Sequence, residues 1–119
     1  QTENKQDASE SVFLTKAIEL VEKNLHVPGY SVEQLSRDLC MERTGLYRKL
    51  VAMLDQSPSL FIRNIRLQRA AQLILEGSLS ITEIAERTGF SSSSYLSKCF
   101  QEMYGCRPSE YTEKAKKST

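Results

Sequence analysis

Two stretches of this chain repeat one another at a period of about fifty residues, and no other feature limits the fold as much. Ser31-Val32-x-x-Leu35-Ser36 is matched by Ser80-Ile81-x-x-Ile84-Ala85, and Cys40-Met41 by Gly89-Phe90. One residue further apart, Leu46-x-Arg48-x-Leu50 matches Leu96-x-Lys98-x-Phe100. Ser57-Pro58-Ser59-Leu60-Phe61 then matches Arg107-Pro108-Ser109-Glu110-Tyr111. Four correspondences in one order define a unit: a short helix, a tight turn, a second helix, and a third opened by proline.

Apolar spacing supports helix throughout and strand nowhere. Leu14, Ile18, Val21 and Leu25, widened by Phe13 and Ala17, form one stripe that Pro28-Gly29 ends. Ser31 is a candidate N-cap for a short helix that buries Val32, Leu35 and Leu39. After a break at Cys40-Met41-Glu42, Leu46, Leu50 and Met53 face inward on the next helix. Ser57-Pro58 opens a long helix that Gly77 stops, since proline at the first helical position loses no hydrogen bond. Ser80, Ile81, Ile84 and Ala85 begin another short helix, and Ser91 to Ser94 cap the next, with Tyr95, Leu96, Phe100 and Met103 inward. Pro108-Ser109 starts the last, around Tyr111. The fold expected is all-α: two helix-turn-helix subdomains joined by a long linker helix, about seven helices in all. Expected boundaries are a flexible segment 1–8, a first subdomain 9–56, the linker 57–77, a second subdomain 78–113 and a flexible tail 114–119.

Within this frame the outward positions of the second helix in each unit become candidate functional residues. They are Arg43, Thr44, Tyr47, Arg48 and Lys49 in the first copy, and Ser93, Ser94, Ser97 and Lys98 in the second. Cations and hydroxyls are the groups that reach phosphates and base edges in a DNA major groove. Helix starts at Ser57, Ser59 and Ser109 offer free backbone N–H groups to a phosphate oxygen. A linker of about twenty residues, roughly 30 Å long, is a suitable strut for two helices entering grooves about 34 Å apart. A plain helical bundle with duplicated hairpins remains the alternative, acting as a protein–protein module.

Charge agrees in its distribution rather than its sum. The net charge is only +1, but six cations between Arg43 and Arg69 face one acid, Asp55. Residues 1–30 instead hold three bases and five acids. On the linker, Arg63, Arg66 and Arg69 are expected to face solvent or pair with acids. Cys40, Cys99 and Cys106 form no CxxC pair and His26 is the sole histidine, so free thiols in a reducing cytoplasm are expected, without metal or other cofactor. No Ser/His/Asp constellation, Gly-rich phosphate loop or carboxylate pair points to an enzyme. The missing initiator methionine suggests a piece of a longer protein.

The string Leu79-Ser80-Ile81-x-x-Ile84-Ala85-x-x-x-Gly89-Phe90-Ser91, with Tyr95-Leu96-x-x-x-Phe100 and Gly105-x-x-Pro108-Ser109-x-Tyr111, resembles the signature of AraC/XylS-family bacterial transcription regulators. Leu46-Tyr47-Arg48-Lys49-Leu50 and Ser57-Pro58-x-x-Phe61-Ile62, with Arg66-Leu67, resemble the first copy and the linker helix. The resemblance implies an output domain that binds promoter DNA, usually as an activator, with RNA polymerase as a partner. It places Thr44, Tyr47 and Arg48, and Ser93, Ser94, Ser97 and Lys98, at bases, and Arg43 with the helix starts at phosphates. The acidic first helix is similar to that of regulators fused to receiver or sensor-kinase modules, where the sensing part would reside. Two departures stand out: Cys40 replaces a glycine frequent in the first turn, and Gly45 lies inside the first recognition helix.

Overall fold

A computed structural model describes residues 5–117 of the chain, and side chains from residue 9 to residue 116. Among the described residues there are seven helices and no strand: α1 (Lys5–Lys23), α2 (Val32–Asp38), α3 (Arg43–Leu54), α4 (Pro58–Glu76), α5 (Ile81–Arg87), α6 (Ser93–Tyr104) and α7 (Pro108–Lys117). Two expectations change. The first helix begins at Lys5, within the segment read as flexible, whose residues 1–4 lie outside the described range. The last helix runs to Lys117 rather than fraying at Lys114, because the Lys114 ammonium donates to the Tyr104 carbonyl at 2.9 Å and the following Ala-Lys-Lys favours helix.

The chain divides into two compact units. Among the described residues, the first comprises residues 5–24 and 30–62, the second residues 25–29 and 63–117. In the first, α2 packs on α1 and α3, burying Ala17, Val21, Tyr30, Leu35, Leu46, Leu50 and Phe61. The Tyr30 hydroxyl donates to Asp38 at 3.0 Å, and burial together with that carboxylate pushes its pKa up to about 12.

In the second unit α6 packs on α5 and α7. Its core joins Leu67, Ala70, Ala71 and Leu73 of α4 to Ile84, Ala85, Phe90, Leu96, Cys99 and Phe100. The helix read as a linker is therefore also a wall of this core. Tyr104 and Tyr111 close the far side against Phe100, with ring centroids 4.5 and 5.2 Å from it. The inward row of α6 differs from expectation. Tyr95 is 46% and Met103 37% exposed, while Cys99 is buried. Leu96, Cys99 and Phe100 fall at i, i+3 and i+4, and Tyr95 points about 100° away from Leu96.

Serine and proline set the helix starts as their chemistry requires. Ser31, Ser57, Ser80 and Ser92 each accept a hydrogen bond from the backbone N–H three residues on. At α5 the exchange is reciprocal, since the Glu83 carboxylate also accepts from the Ser80 N–H at 2.9 Å. The turns repeat as closely. Met41 N–H donates to Ser36 O and Phe90 N–H to Ala85 O, both at 2.9 Å. Cys40 at φ +57° and Gly89 at φ +81° supply the left-handed step.

Cys40 is exposed, so its substitution tests backbone strain with little loss of packing. Cys40→Gly is expected to stabilise the chain by about 0.5–1 kcal/mol, less than the full left-handed penalty because glycine has more unfolded freedom to lose. Urea denaturation checks this, and a lower midpoint for the variant would contradict it.

Candidate nucleic-acid interface

The second helix of each unit carries the residues singled out from the sequence. Both α3 and α6 are twelve residues long, and both follow a seven-residue helix and a left-handed turn. Along α3, Leu46 and Leu50 are buried, which directs Thr44 and Arg48 to the opposite side. Arg43, Thr44 and Arg48 are exposed, and the Tyr47 side chain is 53% exposed. Lys49 departs from this group. Its ammonium lies 4.7 Å from the centroid of the Phe13 ring, so it covers α1 instead of extending the row.

On α6 the burial of Leu96, Cys99 and Phe100 leaves Ser94 and Lys98 exposed, while Ser93 and Ser97 are half-buried on the flank. Gln101 continues the exposed row one turn beyond Lys98; it was not singled out from the sequence. Of the serine run, Ser92 is the cap and Ser91 precedes it.

A cleft lies at the same place in both repeats. In the first, of about 580 Å³, Arg43, Thr44 and Tyr47 face Ser57, Pro58 and Ser59 over a wall formed by Val32. In the second, of about 470 Å³, Ser97 faces Arg107, Pro108 and Ser109, with Ile81 at the place of Val32. Each cleft thus joins a recognition helix to the proline-started helix after it. The roles within them differ. The Ser57 hydroxyl is already engaged as a cap, accepting from Leu60 N–H at 3.3 Å. Ser59 and Ser109 are exposed. Arg107 is an exposed cation on the rim where the first copy has Ser57, and its repeat position was the signal that could have marked it.

The three arginines of α4 have three different settings. Arg63 pairs with Glu102 at 3.5 Å, a half-exposed bridge worth under about 1 kcal/mol. Arg69 is exposed and donates to the Gln72 side chain at 2.8 Å. Arg66 corrects the sequence expectation: it is only 6% exposed and donates to the backbone carbonyls of Leu25, Val27 and Thr88. Burial lowers its pKa from the ordinary value.

The cysteines are free thiols, Cys40 exposed and the other two buried. Among the described residues no group of three or more His, Cys, Asp or Glu could hold a metal ion. No described helix is long and apolar enough to cross a membrane.

Two tandem units of this form, each presenting a polar second helix, define a double helix-turn-helix DNA-binding fold. A helix-turn-helix domain family matches residues 35–114, and the chain belongs to the AraC/XylS family of bacterial transcription regulators, as a DNA-binding domain of that kind. It is 39% identical over 99 residues to histidine kinase P4 of Formosa agariphila, a match covering 83% of this chain and 7% of the relative. The chain thus spans a small part of that relative's length. A solved AraC-type DNA-binding regulator from Chromobacterium violaceum superposes with a TM-score of 0.80 at 30% identity, covering 89% of this chain and 94% of the other. The DNA-binding domain of AdpA, a global transcriptional factor solved with a target DNA, gives 0.75 at 25% identity, with 84% and 89% covered.

Proposed function

We propose that this chain is the output domain of a larger bacterial regulator, binding promoter DNA sequence-specifically and reading two successive major grooves, one with α3 and one with α6. The observation that carries this reading is the duplicated cleft beside an exposed polar helix face. In each copy, base-reading side chains stand next to a proline-started helix whose N-terminal N–H groups suit a phosphate oxygen. Thr44, Tyr47 and Arg48 take base edges in one groove, and Ser93, Ser94, Ser97 and Lys98 in the next. Arg43, Arg107 and the helix starts at Ser57, Ser59 and Ser109 take phosphates. Lys49, held over Phe13, adds positive charge without reading sequence. The nineteen residues of α4 make a rod of about 28 Å, close to the roughly 34 Å of one DNA turn.

Histidine kinase P4 supports a parent protein in which sensing lies outside this segment. Activation, through contact with RNA polymerase in the cytoplasm, is the mode that membership of the family favours. The basic, hydroxyl-rich faces distinguish this reading from a protein–protein module, which would show no salt-sensitive affinity for duplex DNA.

Selection of binding sites from random duplex DNA, run at two salt concentrations, tests the proposal. Two enriched blocks centred about 10–10.5 base pairs apart are expected, with affinity falling steeply as salt rises. One block alone would refute the two-groove reading, and no enrichment would refute sequence-specific binding altogether.

A further inference from the structure

The turn between α5 and α6 fixes the direction in which the second recognition helix leaves. Gly89 and Phe90 N–H groups fold back onto Glu86 and Ala85 carbonyls at 3.4 and 2.9 Å, and Ser92 caps α6 two residues later. Thr88, at the hinge of this turn, is fully buried, and its hydroxyl donates to the Ile84 carbonyl at 2.7 Å. Its own carbonyl accepts from Arg66 Nη1 at 2.8 Å. The same nitrogen donates to Leu25 O, and Nη2 donates to Val27 O at 3.2 Å. One guanidinium therefore gathers the end of α5 and the segment Leu25–Gly29 of the same unit onto α4. A buried planar fork of this kind is stiff, and its charged hydrogen bonds are strong because the guanidinium is largely shielded from solvent.

The turn is also shaped around this group. A Cβ on Gly89 would overlap the Arg66 guanidinium and crowd the Leu25 carbonyl oxygen. The first copy makes the same turn at Cys40, whose side chain is exposed. The two turns share backbone geometry, but only the second is moulded onto a buried cation.

We propose that Arg66 is a positioning residue for the second recognition helix: by holding Thr88 O it sets the direction in which Ser94 and Lys98 meet DNA. This rests on the reading of α6 given above. It predicts that Arg66 governs one half of the binding site rather than both.

Arg66→Met and Arg66→Lys, compared with the wild-type chain, test it in two arms. In the first, amide hydrogen exchange is followed by NMR in the free protein. Exchange at Gly89 and Phe90 should quicken by about tenfold or more, with Met41 changed by less than about twofold. Equal acceleration at both turns, or none at either, overturns the proposal. In the second arm, binding is measured to duplexes with either half-site scrambled, the α6 half-site being the one sensitive to Lys98→Ala. Discrimination there should fall by roughly fivefold or more while the other half-site holds within about twofold. Equal loss at both half-sites, or loss at neither, overturns it. If wild-type protein discriminates at one half-site only, the two-groove reading fails, and the exchange arm still decides the role of Arg66. If Arg66→Met does not fold, Arg66→Lys carries both arms, since lysine keeps the charge but not the fork.

Discussion

Gly89→Ala is expected to destabilise the chain by about 3–5 kcal/mol, the largest effect of any single methyl addition considered for this fold. Two costs combine. At φ +81° an alanine pays the left-handed penalty of about 1–2 kcal/mol. The new methyl also needs space held by the Arg66 guanidinium and the Leu25 carbonyl oxygen. The arginine side chain could swing on its flexible stem, but the backbone oxygen cannot. Swinging would moreover strip a buried cation of carbonyl partners, each charged hydrogen bond being worth about 1.5–3 kcal/mol. Gly77→Ala is the matched control. Its φ is +76° and nothing lies within 4 Å of the added carbon, so only the backbone penalty remains. Urea denaturation of both variants separates the costs. Equal losses for Gly77→Ala and Gly89→Ala would mean that crowding of Arg66 has no energetic consequence.

This contrast also indicates what could be read from the sequence and what could not. Helix starts were legible because their signals act locally: Ser31, Ser57, Ser80 and Ser92 through bonds from the N–H three residues on, Pro58 and Pro108 through a fixed φ and a missing N–H. The repeat was legible because both copies bury the same positions, Leu46 with Leu96 and Leu50 with Phe100. Arg66 was misread, since charge alone suggests a solvated side chain. Its helical neighbours held the contrary signal. Ile62, Ala70 and Leu73, at i−4, i+4 and i+7, are all buried, so Arg66 stands inside an apolar stripe. The carbonyls of Leu25, Val27 and Thr88, distant in sequence, explain why a cation is tolerated there. Lys49 was lost from the candidate row for a related reason: Phe13, thirty-six positions earlier, supplies the ring it covers. Tyr95 and Met103 were placed inward from hydrophobicity, whereas Cys99 holds the inner position because helical phase outweighs side-chain size. The clefts form where consecutive helices pack against one another, and only their proline-started walls were visible beforehand.

Arg48→Ala should weaken binding to the preferred duplex by about 1–3 kcal/mol, roughly a five- to 150-fold loss, and relax the preference at one base pair. Arg48 is exposed on α3, one turn beyond Thr44 and opposite the buried Leu46 and Leu50, so its removal leaves the fold intact. A guanidinium there can donate two parallel hydrogen bonds to O6 and N7 of a guanine, a pairing that no other base offers. Arg43→Ala provides the opposing pattern. Arg43 opens α3 at the mouth of the first cleft, and a phosphate contact there carries no sequence information. Its loss should weaken all duplexes alike and lower the salt slope by about one. Titrations against the preferred site and against single-base variants, at several salt concentrations, distinguish the two behaviours. Should Arg48→Ala weaken every sequence equally, the exposed row of α3 would be a backbone-binding face, and base reading would have to lie elsewhere on the helix.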